Sequence, residues 1–105
     1  MAAGGNRVRL DLNSPEFQDI FFRLETVELK QVVSSLRRLR ELDWDTLYRH
    51  PGFHWESIRH IPTPNGATAY SFRLSEKIRA LGYRDGDFLR IISLHPDHDS
   101  AYRKR

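Results

Sequence analysis

The segment Ile78-Arg-Ala-Leu-Gly-Tyr-Arg-Asp-Gly-Asp-Phe-Leu-Arg-Ile-Ile-Ser-Leu94 decides the fold class. Two apolar-rich runs, residues 78–84 and 88–94, flank Asp85-Gly86, a pair that tolerates the positive φ angles of a tight hairpin turn. The segment therefore predicts an antiparallel strand pair. Towards the N-terminus, residues 67–75 predict the preceding strand and residues 53–61 the one before it, joined by the loop Ile61-Pro-Thr-Pro-Asn-Gly66.

The N-terminal half has a different period. Residues 7–12 alternate strictly, with Val8, Leu10 and Leu12 on one face, and predict a first strand. Asn13-Ser-Pro-Glu16 opens a helix: Asn13 can cap the free amides, Glu16 follows three residues later as in a capping box, and Pro15 suits the first turn. Phe17, Ile20, Phe21 and Leu24 form an apolar stripe, continued by Leu29, Val32, Val33, Leu36 and Leu39 at helical spacing. A break near Glu25-Thr26 makes this a helical hairpin, and Asp43-Trp-Asp-Thr-Leu-Tyr48 adds a short helical turn that ends at Pro51-Gly52. The order β-α-α-β-β-β-β predicts an α+β fold, a mostly antiparallel four- to five-stranded sheet with the helical hairpin packed on one face. The connections are short and no repeat is present, so residues 1–105 read as one domain.

Composition narrows the function classes. With 39% hydrophobic and 30% charged residues, the chain is expected to fold around a modest core with a soluble surface. No apolar run approaches the ~20 residues of a membrane span, and Met-Ala-Ala-Gly-Gly-Asn lacks the pattern of a secretory signal. The absence of cysteine excludes disulfides and thiol nucleophiles and fits a cytoplasmic location. Net charge is +3, and from Arg73 onward eight Lys/Arg stand against five Asp/Glu, which suits an anionic partner.

Strand alternation sorts these charges. Tyr70, Phe72 and Leu74 share a face, so Arg73 points the other way; Arg79, Leu81 and Tyr83 share a face; Arg90 opposes Leu89 and Ile91. If helices cover one face, the other is expected to be concave and to carry several arginines. The last strand then runs into His95-Pro-Asp-His-Asp-Ser-Ala-Tyr102, a cluster able to accept, donate or relay protons. His98 reads as an acid or base, or as a loop histidine bonded to Asp97, Asp99 or backbone. His95 sits where the strand ends and Pro96 stiffens the step after it, so it reads as a loop pin or an active-site group. Asp99 can orient a histidine or cap a loop, and Tyr102 can serve a site or plug the core edge. Arg73 and Arg79 have the planar fork that suits phosphate oxygens, or they form surface ion pairs with Glu56 or Glu76. Lys77, Arg84, Arg90, Arg103 and Lys104 add positive charge for a polyanion. Glu56 reads as a general base or an exposed strand glutamate, and Trp44 and Trp55 as packing residues. His-Pro-Asp-His-Asp also has metal-ligand spacing, but His50, His54 and His60 are scattered, so a metal site is the least favoured reading.

Trp44-Asp-Thr-Leu-Tyr48, Pro51-Gly-Phe-His-Trp-Glu56, Tyr70-Ser-Phe-Arg-Leu-Ser75, Arg79-Ala, Arg84-Asp-Gly-Asp87 and the tail from His95 to Tyr102 resemble the RelE/ParE superfamily. More narrowly, they resemble RelE-like toxins of bacterial type II toxin–antitoxin modules, whose element order is also β-α-α-β-β-β-β. The resemblance implies an endoribonuclease that cleaves mRNA, commonly in the ribosomal A site, inhibits translation in the cytoplasm, and is neutralised by a cognate antitoxin. It implies no metal or other cofactor, no membrane, and no stable DNA contact except through an antitoxin. A base takes the ribose 2′-OH proton, the oxygen attacks the adjacent phosphate, an acid protonates the leaving 5′-oxygen, and cations stabilise the charge on phosphorus. By resemblance, Arg73 and Arg79 match the arginines of successive strands, and Tyr102 matches the aromatic near the C-terminus. The chain departs from the pattern at His95-Pro-Asp-His98, where many relatives carry Lys or Arg. That leaves open which of His95, His98 and Tyr102 moves the protons. An alternative within the superfamily is a non-catalytic binder, such as a DNA gyrase inhibitor or an inactive toxin homologue.

Overall fold

A computed structural model describes residues 6–96; His98, Asp99, Tyr102, Arg103 and Lys104 lie outside the described residues. Its elements are β1 (Arg9–Asp11), α1 (Pro15–Phe21), α2 (Thr26–Glu41), α3 (Trp44–Arg49), β2 (Glu56–Ile58), β3 (Ala69–Arg73), β4 (Ile78–Asp85) and β5 (Phe88–Pro96). They form a five-stranded sheet in the order β1-β5-β4-β3-β2. Strands β2 to β5 are an antiparallel meander, whereas β1 pairs parallel to β5, with Arg9, Leu10 and Asp11 opposite Phe88, Leu89 and Arg90. The sheet is therefore mixed. Parallel pairing needs a long crossover, and here the whole length between β1 and β5 supplies it.

The helical hairpin forms as its apolar stripe dictates. Phe17 of α1 and Val32, Leu36 and Leu39 of α2 are buried, and they meet Phe72, Leu74, Ile78, Ala80, Leu89, Ile91 and Leu94 of the sheet side. Trp44 and Leu47 of α3 close the same core; burying each such large side chain is worth roughly 1.5–3 kcal/mol. Two of the described buried positions are polar, Ser35 and Ser71, and Ser35 donates its hydroxyl to the Leu74 carbonyl, tying α2 to the end of β3.

Three local expectations need correction. The cap of α1 is Ser14, whose Oγ accepts from the Phe17 amide and donates to the Ile92 carbonyl at 2.6 Å. Asn13 is not the cap but lies one residue before it, its backbone N–H donating to Asp11 Oδ1 at 2.9 Å, and Glu16 then falls one residue short of the capping-box position. The strand expected over residues 53–61 shrinks to Glu56–Ile58, because Pro51–Phe53 closes a 3₁₀ turn on the His50 ring and His54 takes a left-handed backbone (φ 47°). The expected Ala67 start of β3 gives way to Ala69, after the Pro64–Gly66 turn in which Thr63 Oγ1 donates to the Ala67 carbonyl.

The β4–β5 hairpin turns at Gly86-Asp87, one residue later than the expected Asp85-Gly86, because Asp85 pairs with Phe88 as the last residue of β4 and only Gly86 takes a positive φ, 65°. Its ladder is interrupted between Leu81 and Gly82: Leu81 faces Ser93 but Gly82 faces Ile91, leaving Ile92 as the extra residue of a β-bulge. Gly82 permits this, since a Cβ there would lie 2.7 Å from the Arg90 carbonyl oxygen. At the other edge, Arg90 bridges β1 to the hairpin through Asp11 and, at 3.0 Å, Asp85. The Asn13 amide and the Arg90 guanidinium together hold the Asp11 carboxyl below its ordinary pKa.

Two outcomes follow from this packing. Gly82→Ala should destabilise the fold by about 1–3 kcal/mol in urea unfolding, because the added methyl overpacks the bulge. Asp11 has a lowered folded-state pKa, so its stabilisation is complete above the unfolded value near pH ~4 and fades as pH falls below it. Unfolding midpoints of wild type and Asp11→Asn should therefore differ at pH 7 and converge towards pH ~2.

Candidate active site

The meander register gathers one row of side chains on the face the helices leave open. Arg73 of β3 lies directly opposite Arg79 of β4, and Arg79 lies directly opposite His95 of β5. In the next row stand Glu56, Ser71, Leu81 and Ser93, again on paired positions. Opposed residues in such ladders have their Cβ atoms only about 4.5–5.5 Å apart, so the row is a cluster and not a scatter.

His95 reaches this face through the bulge. Strict alternation from Arg90 would turn His95 towards the helices. The extra residue Ile92 shifts the phase, so that Arg90, Ser93 and His95 point the same way while Leu89, Ile91 and Leu94 stay in the core.

Hydrogen bonds fix two of these groups. The Arg79 guanidinium donates to Ser71 Oγ at 2.6 Å and lies 3.7 Å from Glu56 Oε1. Ser93 Oγ and His95 Nε2 are 2.8 Å apart. Arg73 has no carboxylate partner among the described residues. Two guanidinium groups placed opposite each other repel, and one partly exposed carboxylate at 3.7 Å answers only part of that charge. The row therefore keeps an excess of positive charge among the described residues.

The other candidates are placed elsewhere or used differently. Lys77 is exposed on the β3–β4 turn, its amide bonded to Ser75 Oγ. Arg84 lies opposite the buried Leu89, on the helix side, stacked 4.5 Å over Trp44 and bonded to the Tyr48 hydroxyl and the Gly86 carbonyl. Arg90 shares the open face with the row, clamped between Asp11 and Asp85. Trp44 and Trp55 pack among Tyr48, Tyr70 and Phe72, with Trp55 stacked on Phe72 at 4.9 Å. Among the described residues no group of three His, Asp or Glu could hold a metal ion, and no helix is long and apolar enough to cross a membrane. A cavity of about 420 Å³ between α2 and the β3–β4 turn, lined by Lys30, Ser34, Arg38 and Ser75 among others, holds none of the row. Ser71 and Ser93 were missed in the sequence, although each sits two residues from a candidate (Arg73, His95) and so on its face.

This architecture matches solved structures. The archaeal RelE–RelB complex from Pyrococcus horikoshii aligns with TM-score 0.58 and 14% identity, over 90% of this chain and 98% of that one. The chain has the RelE-like fold. A copper-bound mutant toxin from Helicobacter pylori aligns at TM-score 0.48 and 17% identity, over 90% and 97% of the two chains, too distantly to add to the assignment. No protein-family model and no curated protein matches the sequence. In the RelE-like sheet described here, the row occupies the face opposite the helical hairpin, at the end of β5 that leads into residues 97–105.

Glu56 competes with any incoming anion for Arg79. Glu56→Gln should tighten binding of inorganic phosphate at low ionic strength by up to about fivefold, the range expected for an exposed ion pair. Chemical-shift titration of the Arg79 and His95 side chains would measure it, and unchanged affinity would mean that the pair does not gate the row.

Proposed function

We propose that this chain is the toxin of a type II toxin–antitoxin module and cleaves mRNA without a metal, on the ribosome, thereby arresting translation. The observation that carries the reading is the row Arg73–Arg79–His95 on the helix-free face. Like-charged residues directly opposite one another cost stability, and an RNA phosphate between them would turn that cost into binding. The RelE-like fold supports the reading, as does the fact that the Pyrococcus relative was solved as a RelE–RelB complex. A cognate antitoxin is the partner proposed on that ground.

In this proposal Arg73 and Arg79 stabilise the dianionic charge that builds on phosphorus as the ribose 2′-oxygen attacks. Ser71 positions Arg79 by accepting its N–H. His95 and His98 are the acid/base candidates. Ser93 holds the His95 ring by its Nε2 atom, which would orient the other ring nitrogen. Asp99 and Tyr102 are proposed to complete the site, orienting a histidine and stacking on or protonating the substrate. DNA lacks the internal nucleophile and should not be cut.

The test is primer extension on mRNA from translating ribosomes exposed to the purified protein. Discrete stops in phase with codons are expected. Arg73→Ala or Arg79→Ala should each slow cleavage by about 10²–10³, the usual effect of removing one group that stabilises transition-state charge. Activity should persist in EDTA, because no step of this reading uses a metal. Intact mRNA together with inhibited DNA supercoiling would replace this reading with gyrase inhibition.

A further inference from the structure

At the β1 edge of the sheet, Arg7, Arg9 and Arg40 line a concavity of about 330 Å³ together with Phe88. None of the three is ion-paired to a carboxylate among the described residues. Arg90, by contrast, is neutralised by Asp11 and Asp85. Arg7 lies close enough to Asp43 to interact with its charge, so the excess positive charge of the concavity rests on Arg9 and Arg40, where β1, β5 and the end of α2 meet. Phe88 is half-buried and carries the guanidinium of Arg9 at 5.0 Å and that of Arg90 at 5.1 Å from its ring centroid.

The register connects this spot to the candidate active site. Arg9 is opposite Phe88, Phe88 is opposite Asp85, and Arg90 is opposite Tyr83. Tyr83, Leu81 and Arg79 alternate along β4 on one face, so Arg9 and Phe88 share the open face with Arg79 and His95. Phe88 and His95 stand at opposite ends of β5, seven residues apart, or roughly 23 Å at ~3.3 Å per residue. That distance accommodates several nucleotides.

We infer that Arg9, Arg40 and Phe88, with Arg7, form a second RNA subsite, which binds backbone phosphates and stacks a base at a distance from the scissile bond. The inference rests on the ribonuclease reading and extends it along the open face to the β1 edge, where Arg40 of α2 lines the concavity from the helix side. Guanidinium groups without carboxylate partners beside an aromatic ring are a combination that holds single-stranded nucleic acid, with cations tracking the backbone and a base displacing a stacked guanidinium from the ring. An acidic protein would need the charges but not the ring.

The experiment uses a 16-nucleotide RNA with 2′-O-methyl sugars, which cannot be cleaved, and follows its binding to the full chain by fluorescence anisotropy as salt is raised. Cleavage by the wild type on programmed ribosomes is measured in parallel. Arg9→Gln/Arg40→Gln should weaken binding and reduce the slope of log affinity against log salt by about 1.4, since each phosphate contact to a single strand contributes ~0.7. Phe88→Leu should weaken binding without changing the slope, and Lys30→Gln, an exposed cation on α2, should leave the slope as it is. An unchanged slope in the folded double variant, with wild-type cleavage intact, would overturn the subsite and spare the ribonuclease reading. A polyglutamate peptide that binds more tightly than RNA and is released by the double substitution would overturn it in favour of an acidic protein partner. A wild type that neither binds the RNA nor cleaves would overturn both.

Discussion

The close approach of the Arg90 carbonyl to Gly82 is the constraint on which the rest of this structure depends. It lets β5 carry one residue more than β4 within the central ladder, and Ile92 is that residue. Two things hang on it. The Ile92 carbonyl receives the hydroxyl of Ser14, the same group that caps α1, so the bulge also anchors the first helix. Beyond the bulge the side-chain phase is inverted, and His95 joins Arg79 in place of the core. Gly82 has no positive φ, so the position uses its missing side chain and not its backbone freedom.

The arginines of the sheet divide by how fully their charge is answered. Arg90 has two carboxylates and locks β1 to the hairpin. Arg84 spreads its guanidinium over Trp44 and Tyr48 and serves packing more than charge. Arg79 is partly answered by Glu56 and Ser71, and Arg73 by no carboxylate among the described residues. A fold selected for stability alone would not oppose Arg73 to Arg79. In the proposed ribonuclease reading, an RNA phosphate supplies the partner that this arrangement lacks. The same contrast marks the β1 edge, where Arg9 and Arg40 have no carboxylate partner among the described residues beside a neutralised Arg90.

Much of the fold was legible because its periods are strong. The apolar stripe from Phe17 to Leu39, the hairpin between β4 and β5 and the alternation in β3 and β4 each point to one structure and found it, though the hairpin turns one residue later than Asp85-Gly86. The misreadings lie where short polar residues or tight turns compete. Asn13 and Ser14 are both good caps, and only the reach of Ser14 to Ile92 decides between them. The apolar residues from Phe53 onward suggest a long strand, yet Phe53 is buried in a 3₁₀ turn and Trp55 stacks on Phe72, so burial arises without strand geometry. The parallel placement of β1 could not be read at all, because strand alternation says which face a residue takes but not which neighbour it pairs with.

By itself the sequence determined the element types, the order of helices and meander, and the face to which Arg73 and Arg79 belong, since all of these follow from local periodicity. The tertiary structure alone decided the register that sets Arg73 against Arg79 and Arg79 against His95, and the join of β1 to β5 that brings Arg9 beside Phe88. The physical reason is that pairing and phase are non-local. One unpaired residue at Ile92, admitted by a missing Cβ on the neighbouring strand, turns His95 from the core to the open face. No pattern within β5 alone records that.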